Sequence, residues 1–312
     1  MTKIVISEFM DEGAAASLED RAEVVFDTGL VEDRAALLAA VADAQGLIVR
    51  NRTRVDAELL AAAPRLRVVG RLGVGLDNID LAACEARDVI VKPAHGGNGS
   101  SVAEYVLTGA LMLRRRAYAS SVSMLAGGWP RQALIGREVA GSTLGLVGFG
   151  AIARETARRA RALDMKVAAF DPHLASDAPE WAGVTRHESL DALIASSDVI
   201  SLHVPLTEAT HHLIDAAALS RMKADAVLIN ASRGGTVDEE ALAEVLRQGR
   251  LAGAMLDVFE QEPLPAGSAL EGVPNLILTP HIAGVTHESN ARISQMTADA
   301  VREVLEQEEV SA

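Results

Sequence analysis

The stretch Thr143–Asp171, TLGLVGFGAIARETARRARALDMKVAAFD, constrains the fold more than any other part of the chain. It reads as strand, glycine turn, helix, strand and acidic end. Gly148-Phe149-Gly150-Ala151-Ile152-Ala153 fits the G-x-G-x-x-G/A fingerprint of a dinucleotide-binding βαβ unit. The first glycine allows the tight turn. The second lets the backbone approach a pyrophosphate, and small Ala153 lets the helix pack on the sheet. The helix N-terminus at Ala151 and Ile152 offers free N–H groups and partial positive charge to phosphates. Asp171 lies 18 residues beyond Ala153. A carboxylate at that strand end accepts from both ribose hydroxyls and repels a 2′-phosphate, so NAD is expected rather than NADP. Such turns also occur with no ligand. Here the strand Leu144–Val147, the amphipathic run Ile152–Leu163 and the acidic strand end all agree with nucleotide binding.

Composition narrows the remaining choices. With 312 residues the chain can form two domains of ordinary size. Hydrophobic residues make up 49% and aromatics 3%, so the core is aliphatic and lacks the stacking platforms of single-strand binders. A net charge of −14 argues against nucleic acid or an anionic membrane as partner. The single cysteine, Cys84, lies in the helix-like LAACEAR and reads as a buried structural thiol. It cannot form an internal disulfide, which fits a reducing cytoplasm. The start, MTKIVISEF, has strand length and is no signal-peptide core. No apolar run approaches the ~18 residues that span a bilayer. No metal is expected, and the acidic tail Glu303–Ala312 is expected to fray.

Short β-like runs alternate with Ala-rich helical runs throughout. Candidate strands are Ile4–Ile6, Val24–Phe26, Leu47–Arg50, Val68–Gly70 and Ile90–Val91. A second series follows the helix Val102–Arg116: Leu144–Val147, Val167–Phe170, Val199–His203, Val227–Ile229, Ala254–Asp257 and Leu276–Leu278. The class is α/β, with two doubly wound domains built on parallel sheets. Ser101-Val102-Ala103-Glu104 reads as a capping box that starts a helix after the glycine-rich Gly96–Ser100, a candidate hinge. The helix from about Glu288 has too little chain after it to build a third unit. The expected division is therefore a discontinuous substrate-binding domain, 1–96 plus 286–312, and a nucleotide-binding domain, 97–285, that carries dimerisation elements.

Three residues past late strands stand out: Arg233 in VLINASRGGTVDE, Glu262 in LDVFEQEP and His281 in LILTPHIAG. Singly each has an ordinary reading, as a turn arginine, a loop acid and a capping or core histidine. Ligands of open α/β sheets bind outside the carboxyl ends of the strands, so all three point to the cofactor's crevice. Together they suit hydride transfer at a carbonyl. An arginine can bind a carboxylate in bidentate fashion and polarise the adjacent C=O. A histidine can exchange a proton with the alcohol oxygen. A nearby carboxylate orients that histidine and favours its protonated form.

The sequence resembles the D-2-hydroxyacid dehydrogenases, close to the D-3-phosphoglycerate dehydrogenase branch. The resemblance runs from about Leu47 to His287 and rests on VRNRT, VVGRLGVGLDNID, SVAEYVLTGALML, LGLVGFGAIA, HVPLT, INASRGG, LDVFEQEP and TPHIAG. It implies a homodimer of two Rossmann-like domains with NAD in the cleft. It implies that Arg233 binds substrate and that Glu262 pairs with His281. It places backbone N–H groups of Gly73, Val74 and Gly75 on the substrate carboxylate, with Asn78 steadying that loop. His203, Val204, Pro205 and Thr207 resemble the wall beside the nicotinamide ribose, with no proton-transfer role for His203. Ala231, Ser232 and Asp257 fall on the cofactor side.

Departures from the family pattern refine the substrate. Glu262 stands where formate dehydrogenases have glutamine, and Val74 where phosphite dehydrogenases have lysine, so neither activity is expected. The serine-binding regulatory domain of long phosphoglycerate dehydrogenases is not expected. His95, in Pro93-Ala94-His95, stands where the family commonly has proline, either at the substrate mouth or satisfying the loop backbone. Arg50, Arg52 and Arg71 could be a solvated surface. Arg50 and Arg71 nevertheless match arginines that hold a second anion, and Arg131, in Trp129-Pro130-Arg131, resembles an arginine offered to a neighbouring subunit. The substrate implied is a small 2-hydroxy acid with an anion at C3: phosphoglycerate, sulfolactate or malate. RNRT, the altered hinge and GGWPRQALIGRE resemble the sulfolactate dehydrogenases most. (S)-Sulfolactate shares the spatial arrangement of D-hydroxyacids, because sulfur reverses the naming priority. Alternatives are a hydroxypyruvate or glyoxylate reductase and, from a different class, an NAD(H)-sensing corepressor-like regulator.

Overall fold

The structure is a computed structural model that describes residues 2–309. The chain forms two compact units, one of residues up to Asn98 together with those from Val285 onward, the other Gly99–Gly284. The first unit opens with β1 (Thr2–Ile6), α1 (Glu12–Glu19), β2 (Ala22–Phe26), α2 (Arg34–Ala40), β3 (Gly46–Val49), α3 (Ala57–Ala62), β4 (Val68–Arg71), α4 (Leu81–Glu85) and β5 (Ile90–Pro93). The second unit holds α5 (Gly99–Arg115), α6 (Ser121–Leu125), β6 (Thr143–Val147), α7 (Ala151–Ala162), β7 (Lys166–Phe170), β8 (Thr185–Arg186), α8 (Leu190–Ser196), β9 (Val199–Leu202), α9 (Ala216–Arg221), β10 (Val227–Asn230), α10 (Glu239–Arg247), β11 (Gly253–Leu256) and β12 (Leu276–Leu278). Helix α11 (His287–Glu309) then returns to the first unit.

Every pairing in both sheets is parallel. The first sheet runs β2-β1-β3-β4-β5, the second β12-β11-β10-β9-β6-β7-β8. Strand order reverses direction between β1 and β3 in the first and between β6 and β9 in the second. These are the switch points outside which open sheets take ligands.

Both faces of each sheet are covered, which explains the near-continuous apolar strands. In the first unit Ile4, Ile6 and Ile48 pack with Leu18 of α1 and with Ile293 and Val301 of α11. Val5, Leu47 and Val49, on the opposite face by the two-residue strand period, pack with Leu37, Leu59, Leu60 and Cys84. Cys84 is thus a core thiol, and burial pushes its pKa up. In the second unit Leu144, Leu146 and Ile229 pack with α5 and α7, while Ile200, Leu202 and Leu228 pack with α8, α9 and α10.

Two expectations change, and one strand was not foreseen. Helix α5 begins at Gly99, so Ser101 lies inside its first turn rather than at the cap; Glu104 pairs with Arg159 of α7 at 3.4 Å instead of closing a capping box. The acidic tail does not fray from Glu303: α11 continues to Glu309 with Val304 and Leu305 buried, and residues 310–312 lie outside the described ones. The two-residue strand β8 was too short to leave a periodic pattern.

Candidate active site

The second unit gathers its functional side chains on three loops past strands. After β10, buried Asn230 organises the turn that carries Arg233. Its amide Nδ2 donates to Arg233 O and to Thr236 Oγ1, each at 3.0 Å, and its Oδ1 accepts from Ser232 N and Ser232 Oγ. Arg233 Nη1 donates to Ser232 O at 2.7 Å. Gly234 then lies against the next loop, where an added Cβ would stand 1.7 Å from Phe259 O. That loop follows β11 and bears Glu262, whose Oε1 accepts from Phe259 N at 3.1 Å. Glu262 Oε2 accepts from His281 Nδ1 at 2.7 Å. The arginine turn and the Glu262–His281 pair are therefore brought together by backbone packing, not by a chance of side-chain reach.

His281 sits in the left-handed region at φ +53°, a conformation costly for a branched or bulky residue and held here by its surroundings. Its N–H donates to Asp257 O at 2.8 Å. Asp257 is 1% exposed. Its Oδ1 accepts from Thr279 Oγ1 and Ile282 N, and its Oδ2 from Ala283 N. Tyr105 OH meets the same Thr279 hydroxyl, and burial raises the Tyr105 pKa to about 12. The carboxylate of Asp257 thus braces the 279–283 turn that carries His281. Since Nδ1 of His281 is engaged, Nε2 is the nitrogen free to exchange a proton with a bound oxygen.

Around the fingerprint the two glycines serve different needs. Gly148 has φ +84°, and a Cβ there would lie 2.7 Å from His203 O, so only glycine lets β6 and β9 close at their shared end. Gly150 has φ −72°, and a Cβ there would meet no atom within 4 Å. The protein itself therefore does not require glycine at 150; the open space fits a ligand backing onto the helix. Gly150 caps α7 without a side-chain bond, leaving the N–H groups of Ala151, Ile152 and Ala153 without an intrahelical acceptor. The Phe149 ring is buried and stacks on Trp181 with centroids 5.1 Å apart, so its place in the turn is a backbone one. That backbone N–H donates to Asp171 Oδ2 at 2.8 Å, and His173 N donates to Oδ1 at 2.9 Å. Each oxygen keeps a further lone pair.

His203 Nε2 lies 3.0 Å from Ser201 Oγ, and burial lowers its pKa to about 4, so it is neutral near pH 7. Val204 packs beside Gly148, and Thr210, not foreseen from the sequence, closes the loop of Pro205 and Thr207 by bonding Pro205 O and Thr207 N. Ala231 and Ser232 are half-buried on the Asn230 turn. Arg131 is exposed, beside Trp129 in an irregular segment.

In the first unit Glu8, which sequence reasoning missed, is buried after β1. Its carboxylate accepts from the N–H groups of Arg50 (2.8 Å), Arg52 (3.2 Å) and Thr53 (2.9 Å). Asn78 Nδ2 donates to Thr53 O at 2.6 Å and Arg50 O at 3.3 Å, so the loop it steadies is 50–53 rather than 73–75. The three arginines diverge. Arg52 forms an exposed ion pair with Glu32 at 2.5 Å and leaves the cluster. Arg50 is half-buried, its Nη2 donates to Asn290 Oδ1 at 2.9 Å, and burial lowers its pKa while Glu8 raises it. Arg71 folds over its own turn, Nη1 donating to Leu72 O at 2.8 Å, in the space a Cβ at Gly73 would need. Gly73, at φ +141°, donates its N–H to Arg71 O at 2.7 Å, so the turn leaves Val74 and Gly75 as its available donors. His95 is exposed, its N–H turned to Pro93 O.

Among the described residues no group of His, Cys, Asp or Glu could hold a metal ion, and no helix is long and apolar enough to cross a membrane.

A parallel sheet with a glycine turn at its switch point, beside an arginine turn and a Glu–His pair, defines a nucleotide-dependent oxidoreductase. Comparison with known proteins agrees. The NAD-binding domain of the D-isomer specific 2-hydroxyacid dehydrogenases matches residues 107–283. An (S)-sulfolactate dehydrogenase of Chromohalobacter salexigens is 61% identical over 98% of this chain and 99% of its own. A D-3-phosphoglycerate dehydrogenase of Archaeoglobus fulgidus is 38% identical over 96% of this chain, which spans 56% of that protein's length. A crystal structure from Thermus thermophilus superposes with a TM-score of 0.88 at 34% identity, covering 98% of this chain and 97% of the other. The chain belongs to the D-isomer specific 2-hydroxyacid dehydrogenase family. It is an NAD-dependent enzyme that interconverts a 2-hydroxy acid and its 2-oxo acid.

Proposed function

We propose that the substrate is a D-configured 2-hydroxy acid with a second anion at C3, of the 3-sulfolactate type. The observation that carries this reading is the 61% identity, over nearly the full length of both chains, to a sulfolactate dehydrogenase. The half-buried guanidinium of Arg50, at the switch point of the first sheet, supports it from within the chain.

In this reading Arg233 binds the substrate carboxylate and polarises the adjacent carbonyl. His281 Nε2 gives a proton to the carbonyl oxygen during reduction and takes it back during oxidation, while Glu262 fixes the ring through Nδ1. Bound NAD supplies or accepts the hydride. Asp171 would hold its ribose hydroxyls, and the free N–H groups of the first turn of α7 would hold its pyrophosphate. Neutral His203, with Val204, Pro205 and Thr207, forms an uncharged wall.

The deciding test is a panel of sulfopyruvate, phosphohydroxypyruvate, oxaloacetate, hydroxypyruvate and glyoxylate, followed by NADH absorbance. Sulfopyruvate is expected to give the highest kcat/KM. A best substrate without a C3 anion would end the reading; phosphohydroxypyruvate in first place would move it to the phosphoglycerate branch. Arg50→Ala should lower kcat/KM roughly 10–100-fold for tailed acids, the equivalent of a charge-assisted hydrogen bond of about 1.5–3 kcal/mol, and spare glyoxylate. Equal losses on both would return Arg50 to a solvated surface.

The cofactor side is tested separately. Gly150→Val is expected to leave Tm unmoved, because its backbone suits an L-residue and its surroundings are open, yet to weaken NADH binding by at least about tenfold. Unchanged NADH affinity would remove the pyrophosphate from this turn.

A cytoplasmic homodimer completes the proposal. Its support is an apolar surface on the second unit, where Val122 is 82% and Leu125 90% exposed and Tyr118, Trp129 and Ile135 are also open. Patches of this kind mark association surfaces. Arg131 of the same segment is assigned to the neighbouring subunit's substrate. Light scattering checks the assembly, and a monomer at micromolar concentration would refute it.

A further inference from the structure

Arg50 and Glu8 follow β3 and β1, the two strands that flank the first unit's switch point. The loop after β3 carries two arginines treated in opposite ways. Arg52 meets a carboxylate, Glu32, which neutralises it. Arg50 meets an amide, Asn290 Oδ1, in the first turn of α11. An amide oxygen holds one guanidinium N–H in direction and removes none of its charge. Four N–H donors of Arg50 stay available, in a fork that matches a sulfonate, phosphate or carboxylate. Glu8, the acid beside this loop, turns its oxygens to three backbone N–H groups rather than to the guanidinium. Asn290 is itself fixed, half-buried, with its N–H on Thr286 O at 2.9 Å and the neighbouring Ser289 and Thr286 capping each other across the helix start. The C-terminal helix thus delivers a neutral acceptor to the arginine across 240 residues of sequence.

We propose that Asn290 is a specificity-determining positioning residue, which orients Arg50 for the anionic tail of the substrate without adding a carboxylate that would neutralise it. The proposal rests on the tailed-substrate reading above. A carboxylate at 290 would orient Arg50 equally well and cancel the charge that reads the tail.

Asn290→Asp makes this exchange at constant volume with the acceptor kept. It is expected to lower kcat/KM for sulfopyruvate by about tenfold or more, chiefly through KM, and to leave glyoxylate and hydroxypyruvate within about twofold. Where an untailed acid turns over too slowly, its inhibition constant serves instead. Asn290→Ala, which releases Arg50 but does not neutralise it, should cost the tailed substrate less than Asn290→Asp. Thermal unfolding of both variants separates this from loss of fold, since a structural role alone would make alanine the worse replacement. The proposal is overturned if Asn290→Asp treats tailed and untailed acids alike, or if alanine costs more than aspartate. Arg50→Ala, measured beside them, separates the two readings. If it is selective for tailed acids and Asn290→Asp is not, the role of Asn290 fails and the tail site stands. If Arg50→Ala is itself unselective, both fall.

Discussion

Replacing His281 is expected to lower kcat by about 10²–10⁴-fold, the usual span for a positioned acid–base group, and to leave NADH affinity nearly intact. His203, on the neighbouring loop, offers no replacement. It is neutral near pH 7, with a pKa of about 4, and its Nε2 lies on Ser201. The choice of replacement matters because residue 281 has φ +53°. Asparagine tolerates that region better than alanine, so His281→Asn removes the imidazole with the least backbone penalty. The two variants should lose kcat alike. A loss of less than about tenfold in His281→Asn would exclude His281 as the proton-transfer group. A large loss in alanine alone would place the effect in the turn rather than in the ring.

Gly234→Ala should be the most damaging single-methyl change in the second unit. Its Cβ would lie 1.7 Å from Phe259 O and 2.2 Å from Phe259 C, both backbone atoms that no rotamer change can clear. Either the Arg233 turn or the Glu262 loop must move, and the two sets of groups separate. Overpacking of this kind costs about 1–3 kcal/mol or more, which lowers Tm by roughly 2–4 °C per kcal/mol in a unit of this size. Activity should fall further than stability, by about 10²-fold, because a displacement of about 1 Å already disrupts a reacting geometry. Unfolding and kcat measured on one preparation check both parts. A Gly234→Ala enzyme with native Tm and native kcat would mean that the two loops are not in contact. Gly150→Val is the counterpart, a larger side chain at a glycine where the protein itself leaves room.

Much of the fold and of the second unit's site could be read from the chain because their determinants are contiguous. The glycine turn, the strand alternation and the motifs holding Arg233, Glu262 and His281 each lie within about ten residues, where periodicity and spacing carry information. What escaped depends on partners far apart in sequence. Glu8 serves a loop more than 40 residues away, and nothing in ISEFM marks that acid as buried. Arg52 resembles Arg50 in every local respect; Glu32 on one side and Asn290 on the other make them different. The misplaced start of α5 has the same origin, since Glu104 bonds a neighbouring helix rather than its own. Asn78 was assigned to its own turn, although its amide acts on another.

Helix α11 sets the order in which the molecule can be completed. It fills one face of the first sheet, with Val301 and Thr297 so close beneath Gly70 that a Cβ there would lie 2.6 Å from the valine. That helix is translated after the whole second unit. On the ribosome, the face of Ile4, Ile6 and Ile48 therefore waits with only α1 over part of it while the intervening residues emerge and fold. The second unit, contiguous from Gly99 to Gly284, needs no such delay. The strands of the first sheet are thus made before the second unit and sealed after it, and they are the surface a chaperone meets or a nascent chain aggregates through.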